Sequence, residues 1–325
     1  MTIGQVWRYT TAVAIVAGLG GCSGSPTAPP PPPTLVLTCP GTATVQSADG
    51  NPISMSFDQP QAVGGNAPVT TSCSPQSGSS FPVGTSTVNC QATDSRSQSA
   101  SCGFIVNVQG PPRLTSTRFL AFGDSLTEGT LSRSPTFLIV SPAWSYPFQL
   151  QNRLAARYRL QTPVVLNEGI GGEGASGTGV QRFRSVLQAN RPDIVLLMEG
   201  TNDLLSGEAG ATAAIGALRA MVQDAKSQGI RITISTIPPQ RAGGLRRRDA
   251  VVAIIPGFND RIRALAAIEG IPLVEVFNGM NGDNTLIGPD DLHMTERGYE
   301  VMADIYFEAI KSAYEVRPAL GGFPR

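Results

Sequence analysis

The hydrophobic pattern changes character part-way along the chain. Before residue 110 the apolar residues come in short alternating runs, at 35–37, 42–45, 54–57, 87–90 and 104–108. Turn residues separate them at Asp49-Gly50-Asn51-Pro52 and Val63-Gly64-Gly65-Asn66. Short alternating strands punctuated in this way predict an all-β sandwich. After residue 115 the runs are longer and almost wholly apolar, at 118–122, 163–166, 193–198, 230–237 and 272–276. Continuous apolar runs are what strands covered on both faces require. Between them lie stretches of helical character near 148–158, 179–189, 212–228, 251–269 and 295–316. Strand and helix in alternation predict a parallel sheet with helices on both sides, a three-layer α/β/α arrangement.

The ends and the joint divide the chain further. Residues 1–21 have Arg8 near the start and a small, apolar stretch from Thr11 to Leu19, which predicts an export signal. That stretch is too short for a stable membrane span. It runs into Leu19-Gly20-Gly21-Cys22, which resembles the bacterial lipobox. The resemblance implies lipidation at Cys22 and a membrane-anchored, exported lipoprotein, and Ser23 resembles the sorting residue of lipoproteins sent to an outer membrane. The other reading is an ordinary cleaved signal. Residues 22–33 include the uninterrupted Pro29 to Pro33, a stiff tether extending about 3.1 Å per residue. The β module is expected over 34–109, a linker over 110–116, the α/β domain over 117–318 and a short tail over 319–325.

Composition and charge narrow the functions. The 325 residues are 41% hydrophobic and 15% charged, with 24 basic and 24 acidic side chains. This balance makes no electrostatic footprint for nucleic acid. Arg246-Arg247-Arg248, the densest basic run, reads as a solvated loop. Of the five cysteines, Cys22 is assigned to lipid. Cys39, Cys73, Cys90 and Cys102 all precede residue 110, an even set in an exported chain, so two disulfides are expected within the β module. Four cysteines allow three pairings. The favoured one joins Cys39 to Cys102 across the module's ends, with Cys73 and Cys90 inside. The segments around Cys73, Phe81-Pro82-Val83-Gly84, Val88 to Asp94 and Cys102 to Val106 resemble the hyalin-repeat (HYR) module. The resemblance implies an immunoglobulin-like β-sandwich; that family is assigned to extracellular adhesion or spacing, and contact with a glycan or a protein through this module stays open.

The candidate chemistry lies in the α/β domain, at the predicted strand ends. The run Phe119 to Phe122 stops at Gly123-Asp124-Ser125, turn chemistry that lifts the Ser125 hydroxyl out of the sheet edge. Ligands of open α/β sheets bind at that edge, so Ser125 is a candidate nucleophile; alone, the tripeptide is equally a plain turn. Asn167-Glu168-Gly169-Ile170-Gly171-Gly172 follows the second run, and its glycines allow backbone N–H groups close approach to a ligand. Gly200-Thr201-Asn202-Asp203 follows the third. Asp290-Asp291-Leu292-His293 precedes the last helix and holds the one histidine of the chain. A carboxylate three residues before a histidine reaches one imidazole nitrogen in a single turn, freeing the other to take a proton from Ser125. Thr127 stands where the usual α/β-hydrolase elbow has its second glycine, so that elbow is absent.

The four blocks, in this order, resemble the GDSL, or SGNH, hydrolase family, which implies a flavodoxin-like α/β/α fold. The resemblance implies Ser125 as nucleophile, His293 as base and then acid, and Asp290 as the orienting carboxylate. It implies an oxyanion hole made of the Ser125 and Gly172 backbone N–H groups and the Asn202 side chain. No cofactor or metal is implied, and one histidine with no cysteine in this domain argues against a zinc site. Asp124 and Asp203 read as structural hydrogen-bonding residues, Glu128 and Glu168 as solvated or turn residues, and Asp291 as the lesser rival of Asp290. The long segment 130–144 reads either as an apolar wall for an acyl chain or as core packing, and 243–248 as an exposed rim. Three functions follow. The first is a serine esterase acting on small carboxylic esters or lysolipids. The second is a carbohydrate O-acetylesterase of the same family, whose module binds glycan. The third is a non-catalytic surface adhesin.

Overall fold

The computed structural model describes residues 31, 33–244 and 248–316. The export signal, Cys22, nearly all of the proline tether, Arg246, Arg247 and the tail lie outside the described residues. Among those described, no helix is long and apolar enough to cross a membrane.

The α/β half is built on five parallel strands: β1 (Arg118–Gly123), β2 (Val164–Gly169), β3 (Ile194–Met198), β4 (Arg231–Ser235) and β5 (Leu273–Val274). Their spatial order is β2-β1-β3-β4-β5. The order reverses beside β1, and the crevice at such a reversal is where ligands of this architecture sit. Strand alternation decides which helices cover which face. Phe119 and Ala121 of β1, with Ile194, Leu196 and Met198 of β3, join one core with α1 (Tyr146–Arg157) and α5 (Glu296–Tyr314). Leu120, Phe122, Val195 and Leu197 point the other way, into a core with α2 (Val180–Asn190), α3 (Gly207–Ser227) and α4 (Asp249–Glu269). Both faces are therefore dry, and each large apolar side chain so buried contributes about 1.5–3 kcal/mol over its exposed state.

The segment 130–144 is not a loop. Thr130–Ser134 and Phe137–Val140 pair as an antiparallel hairpin, followed by a 3₁₀ turn at Pro142–Trp144. The core-packing reading holds for part of it. Leu131 is buried in the core, and Ile139 and Trp144 pack against it, while Phe137 and Val140 are exposed.

The N-terminal module has a four-stranded sheet of 43–46, 99–109, 84–93 and 70–74, with two further two-stranded pairs. The strands at 61–63 and 70–74 are additional to those the alternation predicts. The expected run at 54–57 is reduced to a strand at Ile53–Ser54. The disulfides are Cys39–Cys102 and Cys73–Cys90, the favoured pairing. They flank a small core of Phe81, Val88, Phe104 and Val106, and cross-links are what domains with so little apolar burial need. The module leads into Arg113–Leu114, which pairs antiparallel with Glu315–Val316 just after α5. The Thr115 N–H donates to the Tyr314 carbonyl at 2.9 Å, and Arg157 and the Tyr158 hydroxyl close on the Glu315 carboxylate.

Candidate active site

Gly123 ends β1 because nothing larger fits: a Cβ there would lie 2.1 Å from the Thr127 hydroxyl and 2.4 Å from the Met198 carbonyl oxygen. Asp124 then caps a single helical turn, Ser125–Glu128, its carboxylate accepting the Leu126 N–H at 2.9 Å. Gly129, at φ 99°, closes the turn in the left-handed region. Ser125 is thereby fixed at the carboxyl end of β1, 7% exposed.

His293 comes from the other side, two residues before Thr295, which caps α5 by accepting the Gly298 N–H. Asp290 folds back on it. One carboxylate oxygen accepts the His293 N–H at 2.9 Å and the Leu292 N–H at 3.3 Å. The other lies 2.6 Å from His293 Nδ1, and His293 Nε2 lies 2.9 Å from Ser125 Oγ. Asp290 is fully buried. Burial alone would raise its pKa, but the hydrogen bonds and charge of His293 outweigh burial and hold the carboxyl below its usual value. The Asp290 N–H donates to Ser132 Oγ at 2.9 Å, so the hairpin supports the acid.

Asp291 does not compete for the imidazole. It faces Arg241, whose Nη1 donates to its carboxylate at 3.0 Å and whose backbone N–H donates to its carbonyl at 3.0 Å. The same guanidinium reaches the carbonyls of Asn284, Ile287 and Gly288. Asp291 sits at φ 70°, rare for a residue with a side chain, and these five bonds hold it there. Arg241 carries no spacing signature, and sequence reasoning missed it. Within the expected rim, Gly244 lies so close to Asp291 that a Cβ would come 2.1 Å from its carboxyl carbon.

The remaining predicted residues come to the same sheet edge. Gly172, after β2, is exposed at φ 78°. Asn202, after β3, donates from Nδ2 to the Glu173 carbonyl at 2.7 Å, which leaves the second amide hydrogen available. Asp203 accepts the Ala175 N–H at 2.7 Å and the Ser176 N–H at 3.0 Å, tying the loop after β2 to the loop after β3. Glu128 accepts from the Thr130 hydroxyl, and Glu168 from the Asn190 amide, so both have structural partners.

Four carboxyl groups lie buried beneath this edge: Asp124, Glu173, Glu199 and Asp203. Burial pushes Asp124 up to about 6, against the lowering bond from Leu126. Burial, and then the charges of Asp124 and Glu173, push Glu199 well above its usual value. A carboxyl with a raised folded pKa contributes stability below its unfolded pKa and loses it as pH rises through the folded one. Glu199→Gln, which cannot ionise, is therefore expected to gain on the native protein as pH rises above the ordinary carboxylate range, by up to about 1.4 kcal/mol per pH unit. Thermal melts of both proteins at a series of rising pH values provide the check. A difference in Tm that stayed constant with pH would assign Glu199 an ordinary pKa.

Residues 121–301 match the model of the GDSL-like lipase/acylhydrolase family, and residues 30–108 match the HYR domain. No curated protein matches the chain. Among solved structures, the lipase/acylhydrolase from Enterococcus faecalis is similar at 22% identity and a TM-score of 0.52, with 61% of this chain and 97% of that one covered. An alpha/beta hydrolase enzyme from the metagenome of Lake Arreo, Spain, is similar at 20% identity and a TM-score of 0.50, with 61% and 95% covered. Likeness at this level of identity is a likeness of fold.

Proposed function

The chain belongs to the GDSL-like lipase/acylhydrolase family, and on that premise we propose that it hydrolyses small carboxylic esters or lysolipids through an acyl-serine intermediate. The observation that carries the reading is the continuous run from Asp290 Oδ2 through both ring nitrogens of His293 to Ser125 Oγ. In the proposed route Ser125 Oγ attacks the ester carbonyl carbon while His293 Nε2 takes its proton. The tetrahedral oxyanion is held by the N–H groups of Ser125 and Gly172 and by Asn202 Nδ2. A donor of this kind is worth about 10²–10³ in rate, because it is already aimed where charge develops. Collapse breaks the bond to the alkoxy oxygen, which leaves with the proton from His293. Water, deprotonated by the same nitrogen, then attacks the acyl carbon and releases the acid.

The apolar side chains near the machinery support an acyl substrate. Ile170 lies two residues before Gly172 and Leu205 three after Asn202, and both are strongly exposed. Phe137 and Val140 are exposed on the hairpin whose Ser132 supports Asp290.

The test is a series of p-nitrophenyl esters from acetate to palmitate, with a lysophospholipid and an acetylated xylan alongside, combined with mass-spectrometric mapping of a fluorophosphonate label. Ester turnover with the label on Ser125 is the expected result. Acetyl release from xylan alone would move the function to polysaccharide deacetylation. An unlabelled Ser125 with no turnover of any ester would sink the esterase reading.

A further inference from the structure

Arg182, in the first turn of α2, lies at the meeting point of the three loops that carry the proposed oxyanion donors. Its Nε donates to both carboxylate oxygens of Glu173, at 2.9 and 2.7 Å, and Nη2 donates to Glu173 as well. Nη2 also reaches the Glu168 carbonyl at 2.8 Å and the Gly123 carbonyl at 3.4 Å. The guanidinium carbon sits 3.9 Å from the centre of the Phe122 ring. The Arg182 side chain is 16% exposed and that of Glu173 only 1%.

The partners belong to the donors' supports. Gly123 is two residues before Ser125. Glu168 is the last residue but one of β2, before the Gly172 loop, and Glu173 adjoins Gly172. The backbone carbonyl of that same Glu173 receives the Asn202 amide. The Ile170 N–H donates to the Gly123 carbonyl at 3.0 Å, adding a direct tie between the first two loops. The strand ends are thus joined through the Arg182 guanidinium, and through Glu173, whose carboxylate Arg182 holds and whose carbonyl holds Asn202.

We propose that Arg182 and Glu173 are the positioning pair of the oxyanion hole: they set the Ser125 N–H, the Gly172 N–H and Asn202 Nδ2 at one mutual spacing. The proposal rests on the serine-hydrolase reading above. Burying two charges returns little net stability, because desolvation offsets their attraction. What such a pair contributes is geometry: a planar fork with several fixed donors, which lysine cannot reproduce. Donors displaced by as little as 1 Å lose most of their value at the transition state while leaving ground-state binding almost unchanged.

The experiment uses three variants of the full chain. Arg182→Lys and Glu173→Gln are conservative and keep hydrogen-bonding groups in place. The double variant Arg182→Met with Glu173→Leu removes both charges at similar volume, which avoids stranding one of them. For the folded variants, kcat is expected to fall by about 10- to 100-fold with KM nearly unchanged. The Ki of a trifluoromethyl ketone, which forms a tetrahedral oxyanion on the serine, should rise by the same factor. Arg182→Lys should fall between the native protein and the double variant. A purely structural pair would lower Tm without moving Ki and kcat together. A folded variant with native kcat and native Ki overturns the proposal. Native protein that neither turns over an ester nor takes the fluorophosphonate would instead overturn the esterase reading, so the two failures are distinct.

Discussion

Ester hydrolysis is expected to fall by about 10⁴- to 10⁶-fold when Ser125 becomes alanine, the range seen when a serine nucleophile that acts with its base as a unit is removed. The substitution deletes one oxygen from a residue that is 7% exposed and leaves its backbone N–H in place. The helical turn keeps its Asp124 cap and its Gly129 stop. Neither the fold nor the three proposed oxyanion donors depend on that hydroxyl. The loss should therefore appear in kcat, with Tm within the narrow range of a surface-like change. Single-turnover rates on p-nitrophenyl acetate, beside a thermal melt, make the comparison. Residual activity within tenfold of native, on the order that a mere binding contact contributes, would place the nucleophile elsewhere.

Asp290→Asn is expected to cost nearly as much, about 10⁴-fold in kcat, for a reason that lies in hydrogen placement. The Asp290 oxygen facing the backbone accepts the His293 and Leu292 N–H groups. An asparagine must keep its carbonyl oxygen there, since its NH₂ would meet two donors. The amide nitrogen is then turned toward His293 Nδ1 and donates to it. The proton of neutral imidazole moves to Nε2, which can no longer accept from Ser125. The native carboxylate imposes the opposite tautomer. Because the carboxyl is held below its ordinary pKa, the native protein keeps Asp290 ionised, and this arrangement with it, as pH falls to the ordinary carboxylate range. The asparagine variant should stay slow at every pH at which the native protein is active. Asp291→Asn is the control: its carboxylate faces Arg241, so it should affect Tm more than kcat. Equal rate losses from the two substitutions would remove the tautomer argument.

Some of this architecture was legible in the sequence and some was not, for identifiable reasons. The strands β1 to β5 stand out because burial on both faces demands unbroken apolar runs such as Phe119-Leu120-Ala121-Phe122. The site residues stand out because they sit where those runs stop, and because His293 has no rival. The 130–140 hairpin does not stand out. Its short strands have no alternating pattern of their own, and its pairing is fixed from outside by Leu131 in the core and by the Ser132 contact with Asp290. Arg182, Glu173 and Arg241 were equally invisible. A guanidinium bonded to carbonyl oxygens, as both arginines are, is specified by the path of distant backbone, and backbone carbonyls carry no residue code. Asp203 was read as structural, but its partners Ala175 and Ser176 belong to a loop that only the fold brings near.

The pairing of Arg113–Leu114 with Glu315–Val316 has a bearing on how such a domain can be combined with others. It fastens the incoming and outgoing chain side by side at the amino end of β1, at the opposite edge of the sheet from Ser125. Chain ends that meet in this way make the α/β unit a cartridge. It can be spliced into a host through a single attachment point, or relinked end to end and reopened elsewhere, without threading new chain past the reacting edge. Both connections of the α/β unit thus lie at the edge of the sheet away from Ser125.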